Sequence, residues 1–224
     1  MFMWITESVK KGRKMKDMYS VSGIDVYIKD KISEEIDPDF VFKYISARIP
    51  FHLTTGVDII YIGQFPEMKK REINAYYEDG AIYVTNYHDE EMDMIDDIIH
   101  ELAHAVERNN DEIIYGNGAL QREFIAKRKN LKTNLGDMFD VPRDFTINFE
   151  YDREIDDFLF RTVGYDILNQ MVVNIFVSGY AATSVSEYFA RGFEEYFIGD
   201  KTILKQLSPV LYSIIDNLVH LEDQ

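Results

Sequence analysis

Between positions 89 and 108 the apolar residues recur at helical spacing. Wound at about 100° per residue, Ile95, Ile98, Ile99, Leu102 and Val106 all fall within about 60° of one direction. No Gly or Pro interrupts the stretch, and Asn109 and Asn110 provide a stop, so a long amphipathic helix is expected there. Shorter patterns upstream predict strands. Val21 to Ile28 reads as one strand, and the β-branched run from Val57 to Ile62, bounded by Gly56 and Gly63, reads as a second. Ile73 to Tyr77 and Ala81 to Thr85 flank Glu78-Asp79-Gly80 as a hairpin. Asp37-Pro38-Asp39 predicts a helix running to about Arg48, with Asp37 as its cap and Pro38 in its first turn. From about Leu120 the periodicity is helical over 120–134, 153–162, 166–177, 185–198 and 209–221, with breaks at Pro142 and Gly164. Strands followed by helices predict an α+β fold in one domain: a small mixed sheet and the long helix over 19–110, then a helical C-terminal lobe over 111–224.

Composition narrows the partners. The 224 residues carry 40 acidic and 24 basic side chains, a formal charge of −16. Such a surface repels phosphate backbones and anionic lipid, which argues against nucleic-acid and membrane binding, and it favours a cationic substrate. Asp89, Glu90, Glu91, Asp93, Asp96 and Asp97 concentrate negative charge where the long helix begins, a placement that suits the helix dipole. The absence of cysteine excludes disulfides and thiolate metal ligands. No apolar run approaches the 18 or so residues that would span a bilayer. Met1-Phe2-Met3-Trp4-Ile5 precedes Lys10, Lys11, Arg13, Lys14 and Lys16, the reverse of a secretory signal. The first 18 residues are therefore expected to form a basic arm. The protein is expected to stay in the cytoplasm, or to be released without a classical signal peptide.

Within the long helix, His100-Glu101-Leu102-Ala103-His104 reads H-E-x-x-H. Residues four apart stack on one helix face, so the two imidazoles can share a metal ion, with Glu101 beside a water at the open position. His100 and His104 fall roughly 140° and 180° from the Ile95 direction, away from the apolar stripe, with Asp97 alongside. The competing reading is a solvated face with two histidines on it. Zinc suits two imidazoles, a third protein ligand and a water.

The third ligand distinguishes the known classes. Glu107 and Asn110 occupy the positions where the extended metzincin pattern requires Gly and His, which excludes that class. His52, His88 and His220 lack a partner motif, so a glutamate on another helix is expected. Glu123 lies at the downstream distance used by thermolysin-like enzymes but lacks their Asn before it and Ser-Asp after it. Glu187 follows Tyr180 by seven residues and opens Glu187-Tyr188-Phe189-Ala190, with Phe193 beyond. Ser184-Val185-Ser186-Glu187 also has the form of a capping box, in which the glutamate only bonds back to the helix start. Tyr180 also admits a plain reading as a core aromatic.

The H-E-x-x-H helix together with Tyr180, Glu187-Tyr188-Phe189-Ala190 and Phe193 resembles the catalytic domain of anthrax lethal factor and its relatives, the Pro-Pro endopeptidases. The resemblance covers roughly 89–108 and 180–198. It implies a zincin-like metallopeptidase fold, Zn²⁺ held by His100, His104 and Glu187, Glu101 as general base, and Tyr180 assisting the transition state. It further implies a protein or peptide substrate, with sites near proline favoured. Strand 81–85, just before the zinc helix, is the candidate edge for holding an extended peptide. The chain departs from these relatives at Ala103, often Gly, and at Arg191, often acidic. A longer stretch between His104 and Glu187 implies inserted helices. The expected activity is zinc-dependent peptide hydrolysis. The alternative is a catalytically silent protein of the same fold serving as a binding or assembly component.

Overall fold

The computed structural model describes residues 19–136 and 138–221; the expected basic arm over 1–18 lies outside them. Two compact units divide between Ala105 and Val106, inside the long helix.

The first unit holds a five-stranded mixed sheet. Strands β1 (Tyr19–Val21) and β2 (Ile24–Ile28) are antiparallel, and β3 (Ile59–Ile62) pairs parallel to β2, with Asp25 opposite Ile59. Strands β4 (Ala75–Glu78) and β5 (Ala81–Val84) form the Asp79-Gly80 hairpin, and β5 lies parallel to β3. The order is β1-β2-β3-β5-β4. The single strand expected over 21–28 is thus two, because Ser22 and Gly23 take left-handed φ of 48° and 88° and turn the chain back. Strand β5, expected at the edge, is interior. The two-residue turn at Asp79 (φ 48°) and Gly80 (φ 82°) folds β4 against it, so β4 and β1 are the outermost strands among the described residues. One face of the sheet carries the buried residues Val26, Ile60, Ile62, Ile82 and Val84. The other aligns Tyr27, Tyr61, Tyr83 and Tyr76 across four strands, with ring centroids 5.9, 5.2 and 4.6 Å apart in turn.

Helix α1 (Pro38–Ser46) begins as expected, with the Asp37 carboxylate accepting the Asp39 N–H at 3.0 Å. It buries Val41, Phe42 and Ile45. The short helix α2 (Pro66–Arg71) has no counterpart in the periodicity. Helix α3 (Glu91–Asn109) follows β5, and its five stripe residues are essentially inaccessible.

The second unit is helical: α4 (Asp111–Tyr115), α5 (Ala119–Leu135), α6 (Arg153–Asp157), α7 (Tyr165–Met171), α8 (Val185–Phe197), α9 (Lys201–Leu207) and α10 (Pro209–Val219). A π-helical turn over Phe158–Val163 extends α6 until Gly164, at φ 78°, ends it. Phe124, Phe176 and Tyr188 meet ring to ring in the core, and Phe189, Phe193, Leu211 and Ile215 lie buried alongside. Gly192 lets α8 approach α10, since a Cβ there would collide with the Leu211 side chain. Among the described residues, no helix is long and apolar enough to cross a membrane.

Candidate metal centre

Helix α3 presents His100 and His104 one turn apart, both half-buried, with their Nε2 atoms 3.2 Å apart and their rings at 81°. The two ring nitrogens are within hydrogen-bonding distance, and the separation is close to the spacing of about 3.3 Å between two nitrogens bound tetrahedrally at about 2.0–2.1 Å. Glu101 follows His100 and is buried, 9% exposed.

Glu187 sits in the first turn of α8. Ser184 caps that helix by accepting the Glu187 N–H at 3.1 Å, so the serine half of the capping box is present. The Glu187 carboxylate lies with the two imidazoles: one ligand atom each from His100, His104 and Glu187 are all within 4.8 Å of one another. No other such trio of histidine or acidic side chains occurs among the described residues. The donor set, two imidazole nitrogens and one carboxylate oxygen, is one that zinc accepts. Glu123 is engaged elsewhere. It accepts the Val210 and Leu211 N–H groups at 2.9 and 3.1 Å and the Tyr188 hydroxyl at 2.8 Å, which makes it the N-terminal cap of α10.

Tyr180 opens the 3₁₀ turn Tyr180–Ala182, and its hydroxyl hydrogen-bonds the Glu187 carboxylate. The ring is 39% exposed, yet desolvation around the hydroxyl, then the Glu187 charge, push the phenol far above its ordinary range. It therefore stays protonated and able to donate. Its ring lies 6.3 Å from that of Tyr165. No family model, curated protein or solved structure matches this chain. The site therefore stands on its own geometry.

Around these groups lie residues without a sequence signal. Glu107 accepts a hydrogen bond from Ser186 Oγ at 2.6 Å and another from the Tyr115 hydroxyl. Asp156 accepts from the Tyr151 hydroxyl at 3.1 Å, and burial first, with the Asp157 and Glu187 charges adding, pushes its carboxyl upward. Of the remaining histidines, His88 is buried with Nε2 2.9 Å from Asp97 on α3, and His220 Nδ1 lies 2.7 Å from the Asp216 carbonyl. Arg191 pairs with Glu194 at 2.6 Å.

Proposed function

We propose that this chain is a zinc-dependent metalloendopeptidase with a zincin-like fold, similar to the lethal factor catalytic domain and the Pro-Pro endopeptidases. The observation that carries the reading is the convergence of His100, His104 and Glu187 to within 4.8 Å. The hydrogen bond between Tyr180 and Glu187, at the seven-residue offset of those relatives, supports it. Zinc in that site would lower the pKa of a water from 15.7 towards about 7 and polarise a peptide carbonyl. Glu101, one position along the helix from His100, takes the proton of the attacking water and passes it to the leaving amine. Tyr180, whose hydroxyl stands beside the Glu187 carboxylate, would donate a hydrogen bond to the oxyanion of the tetrahedral intermediate. The extended peptide would pair with an edge strand of the sheet. With β5 interior, β4 is the outermost described strand on that side of the sheet and the candidate for this pairing.

The test measures zinc content and peptide cleavage on the same preparation, with a library that includes proline-containing peptides. One equivalent of zinc and chelator-sensitive cleavage are expected. No zinc after incubation with excess metal would overturn the assignment. Zinc without cleavage across a broad library would instead make the chain a binding or assembly component.

A further inference from the structure

Arg128 is fully buried, 0% exposed, on the inner face of α5. An arginine inside a core needs its donors filled and its charge balanced. Among the described residues it makes no ion pair. Four backbone carbonyls surround it instead: Nε donates to Ala182 O at 2.8 Å, Nη1 to Phe145 O at 3.2 Å and Asn148 O at 2.7 Å, and Nη2 to Thr183 O at 2.5 Å. The Phe124 and Phe145 rings lie 4.6 and 4.9 Å from the guanidinium carbon. Burial pulls the guanidinium down to about 9, which still leaves it charged at neutral pH.

Those four carbonyls are not scattered. Ala182 ends the Tyr180 turn and Thr183 joins it to Ser184, whose hydroxyl caps α8 at Glu187. Phe145 and Asn148 belong to the segment on which that link rests, since Val185 N–H donates to Phe149 O at 2.8 Å. We propose that Arg128 is the positioning residue for the metal centre, a planar clamp that fixes the 180–184 backbone and so holds Tyr180 and Glu187 in register. The inference rests on the zinc reading above, because only there does the register of these two side chains have a chemical consequence.

The comparison residue is its neighbour. Lys127 is also buried and donates to Ile175 O at 2.5 Å and Leu207 O at 2.7 Å, carbonyls that lie outside the 180–184 link. Removing either cation should weaken the fold, but only Arg128 should move the metal site. The experiment measures zinc affinity by competition with a chromophoric chelator, at a temperature where circular dichroism shows each variant folded. Losing a group that orients a ligand costs about tenfold to a hundredfold in metal affinity. Arg128→Ala is expected to show that loss, with recovery when guanidinium is added well below denaturing concentrations. Lys127→Met should stay within about twofold of wild type. Arg128→Lys keeps the charge but not the planar fork, so it serves if the alanine variant does not fold, and it should fall between the two. Wild-type affinity in a folded Arg128→Ala or Arg128→Lys protein would overturn the clamp alone. Equal losses in Lys127→Met and Arg128→Ala would overturn it too, by reducing both to general destabilisation. A wild-type protein that binds no zinc would overturn the zinc reading itself, and the clamp with it.

Discussion

Glu101 and Tyr180 differ in what their removal takes away. Glu101→Gln keeps the shape and a hydrogen-bonding group but cannot accept a proton, so zinc content should be unchanged while kcat falls by about 10²–10⁴. Cleavage at the wild-type rate would remove Glu101 from the mechanism. Tyr180→Phe deletes one oxyanion donor, for which a loss of up to about 10²–10³ in kcat is expected, again with zinc retained. A wild-type kcat there would reduce Tyr180 to a neighbour of Glu187. The two glutamates that competed as third ligand separate just as sharply. Glu187→Ala should abolish tight zinc binding. Glu123→Ala should leave it nearly intact while lowering stability by about 1–3 kcal/mol, because the N-terminus of α10 loses its acceptor and the buried Tyr188 hydroxyl loses its partner. Zinc titration and urea unfolding of the same two variants check both halves. The residues that the structure groups, His100, His104 and Glu187, are legible as letters at fixed spacing. Arg128 and Glu107 are not. Arg128 sits in the polar run Lys127-Arg128-Lys129, which reads as solvated helix surface, and its partners are backbone carbonyls that any residue type would provide.

At the scale of elements, capping chemistry was read more reliably than strand ends. Asp37 and the Asp79-Gly80 turn behave as their residue types require, since a short carboxylate reaches the N–H two residues on and an Asp-Gly pair accepts left-handed φ. Ser22-Gly23 makes the same kind of turn, and it is where the alternation of Ile24, Val26 and Ile28 loses phase with Val21, a break too short to separate two strands by pattern alone. The interior position of β5 follows from pairing across the sheet, which local periodicity does not encode. Helices α2, α4 and α9, of five to seven residues, are too short to show a period. Ser184 is the cap with the most consequence for the proposal, because it joins the helix start to Glu187, the proposed third ligand. Ser184→Ala should cost about 1 kcal/mol. It should also weaken zinc binding, as Glu187 loses the acceptor for its N–H. Ser208→Ala, at the start of α10, provides the contrast. A zinc affinity equally unaffected in both variants would show that the α8 cap supports the helix and nothing more.

For the whole molecule, charge and, on the zinc proposal, metal should each shift stability measurably. A formal charge of −16 means that compaction brings like charges together, so raising salt from about 0.01 to 0.1 M, which shortens the screening length from about 30 to 10 Å, should raise Tm. Zinc acts differently, through mass action on the folded state. His100 and His104 are prearranged at 3.2 Å only when α3 is formed, and Glu187 joins them only in the native fold, so an unfolded chain offers a far poorer site. Free zinc at about 100 times its Kd therefore adds about 2.7 kcal/mol. For a chain of this length that corresponds to a rise in Tm of about 5–10 °C. A strong chelator should remove the increment from the wild-type protein and have no effect on Glu187→Ala, whose fold persists without its ligand. Calorimetry with and without chelator on the two proteins checks both. An identical chelator effect on both would place the stabilising metal elsewhere and leave the His100–His104–Glu187 convergence without an energetic role.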